Sequence, residues 1–168
     1  MPSPHFAHSS KTRFHVTVQA MNSTSVALLD AATADVDFSE RRRAEYSYDA
    51  SNYRVAPAAV AFPRSAAEVA ELVQLCHSSD IALTARGGGT SMAGNAVGDG
   101  LVIDVSRHLN TIVSIDPVSR TAVVEPGVIL SELTAAVENA SGGELTFAPD
   151  PSSKSRATVG GSIANDAC

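Results

Sequence analysis

The feature that most constrains this chain is a run of three glycines, Gly87-Gly88-Gly89. It lies between an apolar stretch ending in Arg86 and the hydroxyl pair Thr90-Ser91. Without Cβ atoms, such a backbone can fold tightly and turn its N–H groups toward one point, the arrangement that receives an anion. Thr90 and Ser91 add hydroxyl donors, and Arg86 brings a positive charge to the strand end. A pyrophosphate is the natural ligand of such a nest. Three commoner glycine motifs fail. A P-loop needs Gly-Lys-Ser/Thr, and no lysine follows these glycines. A dinucleotide Gly-x-Gly-x-x-Gly started at Gly87 would need glycine where Met92 stands. A nucleophile elbow started at Gly89 meets Ala93 in place of its last glycine. A plain glycine turn between two strands stays open, although a turn rarely needs three glycines.

A second segment carries the same chemistry about 70 residues later. Ala148-Pro149-Asp150-Pro151-Ser152-Ser153 is followed by Thr158-Val159-Gly160-Gly161-Ser162-Ile163-Ala164-Asn165. Two prolines stiffen the approach, and the hydroxyl-glycine-glycine stretch is expected to expose backbone donors again. Two such segments in one small chain suggest one elongated phosphate ligand gripped from two sides.

The frame around them is of mixed type. Ala58 to Phe62 is a short apolar run closed by Pro63, which suits a buried strand. Ser65 and Glu68 form a capping box that starts a helix. Val69, Leu72, Val73 and Cys76 then fall on one apolar stripe, with His77 beside it and exposed. Core packing is the expected role of Cys76. Strands are expected over 81–85, 101–105, 111–115 and 121–124, and a helix over 130–138 stopped by Gly142-Gly143. The order β-α-β, then β-β-β, then α gives the α+β class.

Composition narrows the function. With 168 residues, a formal charge of −6 and no basic block, the chain is a poor partner for a nucleic-acid backbone. Its apolar fraction of 44% supports a packed core, and no apolar run reaches the roughly 20 residues that span a bilayer. Cys76 and Cys168 make neither a metal pair nor a disulfide framework. The expected organisation is a disordered or mis-started tail over 1–25, a helical lead-in over 26–47 and a ligand-binding domain over 48–168. The triple arginine Arg41-Arg42-Arg43 reads as a solvated helix face beside Glu40 and Glu45. The absence of targeting signals sets a cytoplasmic expectation.

Four motifs in order make the chain resemble a known family. They are Tyr48-Asp49-Ala50-Ser51-Asn52-Tyr53-Arg54 with Val60 to Ser65, then Arg86 to Ser91, then Val124-Glu125-Pro126-Gly127-Val128, then Pro149 to Ser153 with Thr158 to Asn165. Together they resemble the FAD-binding domain of the vanillyl-alcohol oxidase/p-cresol methylhydroxylase (PCMH) type, in its glycolate oxidase subunit and D-lactate dehydrogenase branch. The resemblance implies the N-terminal part of such a domain, a small mixed sheet with flanking helices, incomplete at Cys168. It implies non-covalent FAD, because Thr90 stands where covalent members place a histidine. It further implies oxidation of a 2-hydroxy acid such as D-lactate, glycolate or D-2-hydroxyglutarate, an electron acceptor and, in some members, a C-terminal iron–sulphur module. Peripheral membrane association would come only through a partner.

The residues carried over as FAD-binding are Arg86, Gly87, Gly88, Gly89, Thr90, Ser91, Gly94 and Asn95 in the first segment. In the second they are Pro149, Asp150, Ser152, Thr158, Gly160, Gly161, Ser162, Ile163 and Asn165. No catalytic residue and no metal ligand is assigned. Asp104, His108, Glu125 and Asp166 are expected to serve structure. The alternatives are a truncated, non-catalytic nucleotide-binding module, or another member of the fold such as a peptidoglycan-precursor reductase or an alkyl-glycerone-phosphate synthase.

Overall fold

A computed structural model describes residues 21–167. The tail expected over 1–25 and Cys168 therefore lie wholly or mostly outside the described residues. Helix α1 (Ser23–Asp30) starts at Asn22, whose side chain accepts the Ser25 amide at 2.8 Å. The lead-in is not continuously helical. Strand β1 (Asp35–Asp37) separates α1 from α2 (Glu40–Glu45), and pairs antiparallel with β2 (Ala59–Phe62). Three residues flanked by aspartates carry no strand pattern of their own; the partner strand imposes it.

Helix α3 (Ala66–Ser78) follows with the expected cap, Ser65 accepting from Glu68 N. Strands β3 (Leu83–Arg86) and β4 (Leu101–Asp104) complete one sheet in the order β1-β2-β4-β3, with β2, β4 and β3 mutually parallel. Every residue of β2 and β4 is buried, because both faces of the sheet are covered. Alternate residues divide between two cores. Ala59, Ala61, Leu101 and Ile103 meet Leu29 of α1 and Leu72 and Cys76 of α3. Val60, Phe62 and Val102 face Tyr46 on the other side. The α3 stripe is narrower than its spacing suggests: Leu72 and Cys76 are buried, while Val73 is exposed.

Beyond the sheet, β5 (Ile112–Asp116) and β6 (Thr121–Val124) form a separate antiparallel ribbon. Its turn is held by Asp116, which accepts Val118 N at 2.9 Å and Ser119 Oγ at 2.7 Å. Helix α4 (Leu130–Ala140) packs beneath the ribbon and stops where Gly142 and Gly143 take φ +64° and +88°. Val128, Leu130, Leu133, Ala157 and Val159 make the core of this region. The second glycine-rich segment is a helix rather than an open loop: α5 spans Val159–Ala164 and is capped by Thr158. Among the described residues, no helix is long and apolar enough to cross a membrane, and no group of metal-ligating side chains forms.

Candidate functional site

The first glycine segment leaves the C-terminal end of β3, the edge at which parallel sheets present ligands. The N–H groups of residues 87–91 donate to no described residue. Five consecutive amides thus stay available on a backbone whose residues all line one groove of about 660 Å³. The far wall of that groove is α5 with the turn before it, so the two segments face one cavity.

The glycines are needed for contact as well as for donors. A Cβ on Gly88 would fall on the Arg156 carbonyl, and one on Gly87 would strike the Thr158 hydroxyl. A Cβ on Gly160 would lie 2.6 Å from that of Pro126. Gly87 and Gly88 let the sheet region and the ribbon region approach closely enough to share the groove, and Gly160 lets α5 lie against the segment after β6.

In the second segment the amides of the Gly160-Gly161-Ser162 stretch already have acceptors within the protein. Gly160 N donates to Pro126 O at 2.9 Å, Gly161 N to Thr158 Oγ1 at 3.3 Å and Ser162 N to Thr158 O at 2.9 Å. The first turn of a helix has unpaired amides only where nothing caps it, and here cap and neighbouring chain use them. The Thr90 and Ser162 hydroxyls line the groove without a partner among the described residues.

Several assigned residues have partners within the protein. Arg86 Nη1 donates to Tyr48 O at 2.9 Å and Ala96 O at 3.1 Å, and its guanidinium lies 4.9 Å over the Tyr46 ring. Ser91 Oγ accepts the amides of Ala93 and Asn95 at 3.2 Å. Asn95 Nδ2 donates to Asn165 Oδ1, and Asn165 Nδ2 to Gly161 O at 2.9 Å, which ties the two segments together. Gly94 takes φ +80° against the Tyr53 ring.

Along 149–153 the groove is lined by Pro151 and Ser153, whereas Pro149, Asp150 and Ser152 are not among its lining residues. Asp150 instead pairs with Lys154 at 3.2 Å. Ile163 is 76% exposed and lines a second, apolar groove of about 820 Å³ between α4, α5 and the ribbon. Sequence reasoning missed Ala96, Val105, Pro126 and Ala157 as groove residues; their small or apolar side chains carry no signal of their own.

Two of the carboxylates set aside as structural, Asp104 and Glu125, have partners within the protein. Asp104 is buried and accepts Tyr46 OH, Ser106 N at 2.7 Å and Ser106 Oγ at 2.6 Å. Burial and the Asp104 carboxylate hold the Tyr46 phenol protonated far above its ordinary range. Glu125 accepts Thr111 N at 2.8 Å. Burial pushes the Asp49 carboxyl up, but hydrogen bonds from Ser51 and Ala96, with the charge of Arg86, outweigh it and lower the pKa.

Comparison with known proteins agrees with this geometry. The family profile described as "FAD binding domain" matches residues 57–168. D-2-hydroxyglutarate dehydrogenase of Escherichia coli K12 is 40% identical over 138 residues, covering 80% of this chain and 13% of that protein. Glycolate oxidase subunit GlcD of Bacillus subtilis 168 is 36% identical over 129 residues, covering 76% and 27%. Among solved structures, an alkyldihydroxyacetonephosphate synthase superposes with TM-score 0.72 at 23% identity, over 84% of this chain and 28% of that one. The 4-ethylphenol oxidase of Gulosibacter chungangensis gives 0.63 at 25% identity, over 76% and 25%. The chain thus spans between about an eighth and about a quarter of the curated relatives it matches. It belongs to the FAD-binding domain family, and its mixed helix-and-sheet fold is that of the vanillyl-alcohol oxidase/PCMH type.

Proposed function

We propose that this member of the FAD-binding domain family supplies the diphosphate cradle of an FAD-dependent oxidoreductase acting on a small 2-hydroxy acid. The observation that carries the reading is the row of five unpartnered amides at 87–91, on a groove whose other wall is the second glycine segment. A diphosphate brings negative oxygens and no donors, so it complements amide donors that otherwise have only water. The missing Cβ atoms of Gly87 and Gly88 keep that backbone within reach of the opposite wall. Thr90 and Ser162 add hydroxyl donors, and Asn95 with Asn165 holds the two walls at a fixed separation.

Next to the groove lies a smaller cavity of about 350 Å³. It shares Gly88 and Thr158 with the groove and is lined also by Ser106, Asn110 and Arg156. A dinucleotide can therefore extend past Gly88 into this cavity. With Thr90 at the position of a covalent histidine, the cofactor is held by these contacts alone. When bound, the flavin supplies the hydride-accepting chemistry, and the protein contributes position and electrostatics.

The substrate class comes from the relatives: a D-2-hydroxyglutarate dehydrogenase and a glycolate oxidase subunit are both named for 2-hydroxy acids. An electron acceptor, and an iron–sulphur module of the kind the resemblance implies, complete the proposed protein.

Titration separates this reading from a generic pocket. FAD and ADP should both bind, and riboflavin, which lacks the diphosphate, should bind at least about tenfold more weakly. Equal binding of riboflavin would overturn the cradle. In the longer protein, anaerobic bleaching of bound flavin by D-2-hydroxyglutarate, D-lactate or glycolate tests the substrate class. Failure of all three would remove it.

A further inference from the structure

The segment Tyr46–Tyr53 carries no ligand-like feature, yet it touches the glycine loop at four points. Ala50 N donates to Gly89 O at 3.1 Å. Asp49 Oδ2 accepts Ala96 N at 3.3 Å, while its Oδ1 accepts Ser51 N at 2.8 Å. Arg86 Nη1 bridges Tyr48 O and Ala96 O, so one guanidinium holds the segment and the far end of the loop together. The Tyr53 ring lies against Gly94. Tyr46 anchors the segment in turn: its hydroxyl bonds the buried carboxylate of Asp104, and its ring carries the Arg86 guanidinium.

A loop with five unpaired amides and positive φ at Gly89 and Gly94 has little of its own to hold one conformation. From these contacts we infer that Arg86 and Asp49 are positioning residues: they brace residues 87–96 from outside, so that the loop is ordered before any ligand arrives. Arg86 does this through Nη1, which faces two backbone carbonyls. A guanidinium suits the task because one of its NH2 groups can serve two carbonyls while its plane lies on an aromatic ring. Asp49 suits it because a carboxylate accepts two amides in different directions. Pre-ordering lowers the entropy lost on binding and shows as affinity. The functional consequence rests on the groove being the FAD site; the brace itself does not.

The test uses the 168-residue chain and the variants R86A, R86K and D49N. Amide exchange is followed at Ala50 and Ala96, and FAD affinity is measured by titration. The brace predicts at least about tenfold faster exchange at both amides in R86A, a melting midpoint within a few degrees of the parent, and FAD affinity lowered roughly ten- to a hundredfold. R86K should recover part of both effects, since an ammonium can donate to the same carbonyls but lacks the planar group that lies on the Tyr46 ring. D49N should loosen Ala96 more than Ala50. Unchanged exchange at both amides in R86A would overturn the brace, whatever FAD does. Accelerated exchange in R86A beside a parent chain that binds no FAD would keep the brace and remove the FAD reading.

Discussion

The sheet region and the ribbon region are built to different standards of burial. In the first, β2 and β4 are buried along their whole length, with a packed cluster on each face. In the second, β5 and β6 carry mostly exposed or half-buried residues over one small cluster, and Val113, Val118 and Val123 stand in solvent. Within the ribbon region, backbone bonds from Val159 N to Val128 O and from Gly160 N to Pro126 O tie α5 to the segment after β6, and Gly127 N to Leu109 O ties that segment to the chain leaving β4. The difference teaches where the groove can sit. A loop carried by the doubly covered sheet faces a wall carried by the lightly built region, and the ligand groove is the seam between them.

That contrast can be broken most forcefully in the two cores. Leu101 and Leu133 are both buried leucines, one in each region. L101A should cost about 3–5 kcal/mol and L133A nearer 2–3 kcal/mol, since the smaller cluster beside an open groove can relax around the loss. Denaturant melts of the two variants check this. Equal costs would mean that the regions are equally well packed.

The next largest effect lies on the seam. G88V places a side chain on the Arg156 carbonyl, so it should abolish FAD binding and also cost about 1–3 kcal/mol of stability. Gly142 is the control, for a Cβ there meets nothing within 4 Å. G142A should cost only about 1 kcal/mol, from its φ of +64°, and leave FAD affinity unchanged. If G88V bound FAD like the parent, the seam would not be the site.

Helix caps give a finer comparison. S65A removes the cap of the 13-residue α3 and T158A that of the 6-residue α5, each worth about 0.5–2 kcal/mol in stability. Only T158A should also weaken FAD, because Thr158 lines the groove and fixes its wall. Loss of affinity in S65A as well would mean that the two regions do not separate.

The smallest effect is with pH. Hydrogen bonds hold the Asp116 carboxyl of the ribbon turn below its ordinary pKa, and Asp49 beside the loop is lowered despite its burial. A carboxyl whose folded pKa lies below its unfolded value binds fewer protons when folded. Its stabilisation is therefore complete above the unfolded value of about 4 and drains away as pH falls through the folded one. Melts between about pH 5 and 2.5 should show D49N and D116N losing less with acid than the parent.

How much of this was legible follows from where the signal resides. The strands β2 and β4, the cap of α3 and the stop after α4 are written in local residue types, and the structure places them within a residue or two of expectation. Strand β1 was not legible, since Asp-Val-Asp becomes a strand only by pairing with β2. Helix α5 was hidden because two glycines argue against a helix, and its order comes from Thr158 and from the carbonyls of Pro126 and Val128. In the site, the glycine loop could be read from the absence of side chains. The roles of Arg86, Asn95 and Asn165 could not, because their partners lie far away along the chain.

The most direct test of the central claim is a titration of the isotope-labelled chain with FAD, following every backbone amide by NMR. The account predicts that the largest shifts fall on Gly87, Gly88, Gly89, Thr90 and Ser91, with smaller ones along α5, and almost none in the ribbon groove. Shifts centred on Val123, Val137 and Phe147, or saturation that leaves 87–91 unmoved, would contradict it.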